Sequence, residues 1–194
     1  MSNPSYWTHY TKSLSSASDI NPELANFAAR YRFAKPLNGL LLTGYSAGTA
    51  KGYLVATRLS FAFTALEALE QAIGVHHSDK SDREPIVDFE IAAMLARGDL
   101  IKAERQILDA GDSEFRRGKI AQSLRNIKLD EQETGNVRAF VEGFRNATFH
   151  GKFTPHKSGL DKSASLQAAI DRLADEVLKS ANDHFTRWTK ARIE

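Results

Sequence analysis

Residues 53–73, YLVATRLSFAFTALEALEQAI, decide the fold class. Wound at the helical period, Leu54, Val55, Leu59, Phe61, Ala62, Phe63, Ala65, Leu66, Ala68, Leu69, Ala72 and Ile73 cover nearly the whole circumference. A helix apolar on almost every side belongs at the centre of a bundle. One narrow strip is polar: Thr57, Ser60, Thr64, Glu67 and Gln71 share a single line along the axis. That strip is either the wet edge of the helix or one wall of a polar cleft whose only acid is Glu67. Both readings stand at this point.

The next informative segment is 136–153, NVRAFVEGFRNATFHGKF. Val137, Phe140, Val141, Phe144 and Thr148 recur at steps of three and four, which predicts a helix over 136–149 with one buried stripe, ended by Gly151. On its other side Glu142, Asn146 and His150 are successive i, i+4 neighbours, with Arg145 beside them. Arg145 and His150 read equally as a surface ion-pair partner and a residue favoured by the negative end of the helix dipole.

The remaining segments fill out a helical bundle. Residues 1–21 are rich in Ser, Thr and Asn, with Tyr6, Trp7 and Tyr10 as their bulky groups, and read as an arm that docks through those rings or stays partly disordered. Asn21 and Pro22 form a helix start, Leu24, Phe27, Ala28 and Tyr31 its apolar face, and Pro36 its limit. TGYSAGTAKG, 43–52, has the glycines of a phosphate loop but not its Lys-Ser/Thr, because Gly52 follows Lys51, so a flexible connector is expected. HHSDKSDREP, 76–85, reads as a solvated charged loop without metal-ligand spacing. Ile86 to Leu95 and Leu100 to Leu108 suggest two further helices. FRRGKIAQSLRNIKL, 115–129, is the most basic window, and Arg116, Arg117, Lys119, Arg125 and Lys128, joined by Lys152, are candidates for phosphate contacts. A long seam of Leu166, Ile170, Leu173, Val177, Ala181, Phe185 and Trp188 predicts a last helix over 160–192, packed on the central helix, on a second copy of the chain, or on both.

With 194 residues the chain is expected to hold an arm, 1–21, and a single helical domain, 22–194. The absence of cysteine excludes disulfides, thiolate metal sites and a cysteine nucleophile. A net charge of +2 makes any nucleic-acid footprint a local matter. No apolar run suits a signal peptide or a membrane span, so a cytoplasmic protein without membrane contact is expected.

In this all-α setting RNATFH, Arg145 to His150, resembles the Arg-x4-6-His motif of the HEPN superfamily, in which a polar residue commonly follows the arginine; Asn146 stands there. The resemblance spans Tyr53 to Arg192 and is specific in the motif alone. It implies a HEPN-like bundle and an endoribonuclease needing neither metal nor cofactor, related to toxin or defence systems, with an antitoxin or other protein as regulator. Arg145, His150 and Asn146 are then the catalytic group, with support from Glu142 and Glu67. In RNA cleavage by the 2'-hydroxyl, an imidazole suits proton transfer and a guanidinium suits the charge on phosphorus. With one motif histidine per chain, acid and base would come from two copies, which implies a homodimer. A tyrosine common two places after the histidine is replaced by Lys152, which removes any regulation through it. The alternatives are a non-catalytic module that binds RNA or a partner protein, and a structural subunit whose Arg145 merely pairs with Glu142 or Glu67.

Overall fold

The computed structural model describes residues 3–74, 100–102, 104–109, 111, 113–125 and 135–193. The expected helix over 86–95, the 76–85 loop and Lys128 lie outside the described residues. Among the described residues every regular element is helical, and the fold is all-α. The elements are α1 (Trp7–Lys12), a 3-10 turn (Ala17–Asp19), α2 (Pro22–Ala34), α3 (Ala47–Ile73), α4 (Ser113–Arg117), α5 (Lys119–Arg125), α6 (Gly135–Phe149) and α7 (Ala164–Ile193). Residues 100–102 and 104–109 are also helical.

The long apolar α3 takes the centre and touches α2, α6 and α7. Leu59, Ala62, Phe63, Ala65, Leu66, Ala68 and Leu69 are completely buried along it. Each large side chain removed from water in this way contributes about 1.5–3 kcal/mol to holding α3 among its neighbours. Its one deeply buried cation is paired. Arg58 donates to the carbonyl of Ala34 at 3.3 Å, to Asp171 Oδ1 at 2.6 Å and to Asp175 Oδ1 at 2.5 Å, which ties the end of α2 and the first half of α7 to α3. Burial alone would lower the pKa of Arg58, but the hydrogen bonds to Asp175 and Asp171 hold it above the ordinary arginine value.

One segment differs from the sequence reading, and one is settled between its alternatives. Residues 47–52 form the first turns of α3 and are not a flexible connector: Ser46 caps them, its hydroxyl accepting from the Thr49 amide at 3.2 Å. The glycines serve close approach, since a Cβ on Gly48 would stand 2.2 Å from the carbonyl oxygen of Asp161 and one on Gly52 2.6 Å from Pro155 Cβ. The seam of α7 is used within the chain. Leu166, Ile170, Leu173, Val177, Ala181 and Phe185 are all buried in it. Phe185 meets Trp7, Tyr10 and Phe27 at ring-centroid distances of 5.9, 6.0 and 5.3 Å, and the Ser5 amide donates to Asn182 Oδ1 at 2.7 Å. The N-terminal arm is thereby docked through its aromatic residues. No described helix is long and apolar enough to cross a membrane.

Candidate functional site

Helix α6 owes its placement to both flanks. Phe140, Val141 and Phe144 are buried in the core, and the Thr148 hydroxyl donates to the Phe144 carbonyl at 2.9 Å. On one flank Gly143 admits α5, whose Leu124 amide nitrogen would lie 3.0 Å from a Cβ there. On the other, α6 runs antiparallel to α3: Arg138 meets Glu70, Arg145 meets Glu67 and Phe149 meets Phe61, so rising numbers on one helix pair with falling numbers on the other.

Those contacts place two guanidinium groups around one ring. Arg138 forms a bidentate pair with Glu70 at 2.8 and 2.7 Å, with both residues buried. Arg145 donates from Nη2 to Glu67 Oε1 in a half-buried pair. The Cζ atoms of Arg138 and Arg145 stand 5.3 and 5.6 Å from the centroid of Phe63. Glu67 carries a raised pKa, chiefly because burial disfavours its charge; Arg145 opposes that, Glu142 adds to it, and Arg138 and Arg30 oppose it more weakly. Arg30 reaches in from α2 and donates to the Thr64 carbonyl at 3.0 Å.

The polar strip of α3 is therefore covered from both sides. Ser60 is fully buried, Thr57, Thr64 and Glu67 are half-buried, and only Gln71 is exposed.

The other motif residues lie toward solvent. Glu142 and Asn146 are half-buried, and His150 is exposed at the end of α6. Gly151, at φ +64°, turns the chain away, and the Lys152 amide closes the helix on the Ala147 carbonyl at 2.9 Å. Among the described residues the imidazole of His150 makes no hydrogen bond. Arg145 and His150 thus sit about 7.5 Å apart along one helix by its rise per residue. The arginine is anchored to the central helix, and the histidine is exposed.

No family model, curated protein or solved structure matches the chain. The functional reading therefore stands on the chain's own residues.

The described part of the basic window packs on the other flank of α6. Arg116 and Arg117 donate to the carbonyls of Gly111 and Ser113 at 3.0 and 3.1 Å, and Arg125 to that of Arg116 at 2.7 Å. Each guanidinium spends one donor on nearby backbone and keeps the rest in solvent, with Lys119 and Lys152 exposed as well. Gly143 and Arg145 are two residues apart, so on a helix they point to nearly opposite sides. Helix α5 therefore packs on α6 on the flank away from Arg145. Among the described residues no group of three or more His, Asp or Glu gathers as a metal site would.

Three features escaped the sequence reading. One is the buried Arg138–Glu70 pair, hidden because the two residues lie 68 positions apart and only the packing of α6 on α3 brings them together. Another is the pairing of exposed His156, through Nδ1, with Asp161 Oδ2 at 2.9 Å, which depends on a loop closure no periodicity reports. The last is a surface row of phenylalanines from α2, α3 and α6, whose members are far apart in sequence.

Proposed function

We propose that the chain is a metal-independent endoribonuclease of toxin or defence type, acting in the cytoplasm, in which Arg145 and His150 cut RNA by attack of its own 2'-hydroxyl. The observation that supports this reading best is the arrangement on α6: a guanidinium fixed by Glu67 and, little more than a turn further on, an exposed imidazole with no partner among the described residues. The reaction needs both groups. A base takes the 2'-hydroxyl proton as that oxygen bonds to phosphorus. The bond from phosphorus to the 5'-oxygen then breaks, an acid protonates the leaving oxygen, and a 2',3'-cyclic phosphate remains.

His150 serves as acid or base, since an imidazole exchanges protons near neutrality. Arg145 neutralises the non-bridging oxygens as charge develops on them through the donors of its terminal nitrogens that Glu67 does not engage, its Nε being buried. Glu67 positions Arg145, and Asn146 orients the imidazole or the phosphate. A second copy of the chain contributes the second imidazole. The exposed end of α6, and not the internal seam of α7, is the surface on which two motifs would meet. The cations of α4 and α5 hold flanking phosphates.

A second reading draws on the same ion pair. Arg145 closed on Glu67 is what a structural subunit would also show, with no ligand at all.

The test uses purified protein and RNA. Cleavage should survive EDTA, leave 2',3'-cyclic phosphate ends and fail on 2'-O-methyl RNA or DNA. His150→Ala should reduce it by about 10²- to 10⁴-fold while leaving the fold intact. RNA that is bound but left uncut by a protein that light scattering shows to be a dimer would make a binding module the better account.

A further inference from the structure

Phe33 of α2 is 48% exposed and Phe149 of α6 51% exposed. They are linked by Phe61 of α3, with ring centroids 4.5 Å apart for Phe33 and Phe61 and 6.0 Å for Phe61 and Phe149. Single exposed apolar residues are ordinary, whereas a row of rings across three helices is a surface with a use. Phe149 directly precedes His150, so the row starts at the motif. At its other end lies a hollow of about 430 Å³ lined by Ala29, Arg32, Phe33, Pro36 and Leu37.

The segments that supply the row carry one sign of charge. Residues 24–66, which supply Phe33 and Phe61, contain Arg30, Arg32, Lys35, Lys51 and Arg58 and not one Asp or Glu. Residues 143–160, which supply Phe149, contain Arg145, Lys152 and Lys157 and again no acid. Arg58 is consumed by Asp171 and Asp175, and Glu67, half-buried, is paired with Arg145. Rings bordered by cations suit a polyanion with flat apolar faces.

We propose that Phe33, Phe61 and Phe149 are a stacking platform for unpaired RNA bases beside the scissile phosphate, with Arg32 and Lys35 on the backbone that follows. This inference rests on the nuclease reading and narrows its substrate to single-stranded RNA. Bases in a duplex have their faces covered by their neighbours, so only unpaired ones can lie on the rings. A second copy is the poorer occupant of the row. In a two-fold contact the same patch faces itself, which would bring like-charged rims together.

The experiment separates binding from cleavage by using the His150→Ala protein throughout. Its probe is a short single-stranded RNA with 2-aminopurine at successive positions, compared with the same strand fully paired. The single strand should bind more tightly than the duplex, with a change in 2-aminopurine fluorescence at the stacked positions. Adding Phe149→Leu or Phe33→Ala should weaken binding about 5- to 150-fold, the range alanine substitution gives for base stacking on an aromatic residue. Phe149→Trp should keep it. Leucine preserves apolar area and removes the ring face, so single-strand binding unchanged in Phe149→Leu would overturn the proposal. Weakening that merely follows loss of a dimer in light scattering would also overturn it, and would assign the row to a second copy. Failure of the parent protein to cut RNA, with these binding results intact, would sink the nuclease reading and leave the platform standing.

Discussion

Arg145 is where the structural and the chemical readings of this chain part, and a double-mutant cycle with Glu67 separates them. Arg145→Ala leaves the Glu67 carboxylate without its ion-pair partner, in a site where 28% of its side chain meets water and burial already raises its pKa. Removing a partner from a charged hydrogen bond of this kind costs about 1.5–3 kcal/mol. For a chain of this length each kcal/mol moves the melting temperature by about 2–4 °C, so a fall of about 3–12 °C is expected. Arg145→Ala/Glu67→Ala removes the orphaned charge together with its partner and should recover much of that loss, because deleting both members of a pair costs far less than deleting one. Cleavage should not recover with it. If Arg145 stabilises charge on phosphorus, both proteins should remain at least about 10²-fold below the parent, the usual cost of losing one preorganised donor to a developing oxyanion. Calorimetry and a cleavage assay well below both melting temperatures give the two readouts. Cleavage that returns in the double variant alongside stability would refute the argument, since Arg145 would then have served only to neutralise Glu67.

The remaining predictions concern the neighbours of that pair. Arg138→Ala should cost about 3–5 kcal/mol in urea unfolding because it removes the bidentate partner of the buried Glu70 carboxylate, whereas Arg138→Met/Glu70→Leu should cost much less; equal losses in the two would refute the buried-pair account. The raised pKa of Glu67 means that the folded state holds its proton more tightly than the unfolded chain does. Its contribution to stability is accordingly complete below the ordinary value of 4.5 and is lost as pH rises through the raised value. Urea midpoints of the parent minus those of Glu67→Gln should fall with rising pH over that interval, and a difference that grows would show that ion pairing, and not burial, governs the group.

How much of this was legible in the sequence follows from what each feature depends on. The all-α fold, the central place of α3 and the N-cap at Asn21 are properties of single segments, and the spacing of Leu54 to Ile73 or the Asn-Pro step states them directly. The start of α3 was misread because its glycines were taken for freedom. Gly48 and Gly52 are there because Asp161 and Pro155 come close, and that approach is made by a segment more than a hundred residues away. The α7 seam had two candidate partners, and nothing in its own spacing could choose between the chain's core and a second copy.

The candidate site divides along the same line. A strip along α3 whose only acid is Glu67, and a row on α6 beside Arg145, each follow from helical geometry, and antiparallel packing brings them together at Glu67 and Arg145. Geometry of one helix cannot say which cations approach from its flanks. Helix α5, from the basic window prominent in sequence, packs on α6 on the side away from Arg145, while Arg30, an inconspicuous residue of α2, comes close enough to influence Glu67. The acid-free run from 24 to 66 was readable all along, but it gained meaning only when Phe33 and Phe61 were seen to continue into Phe149. Charge that is unremarkable for the whole chain becomes an argument where the segments that supply the exposed rings carry cations and no acid, next to the imidazole at the end of α6.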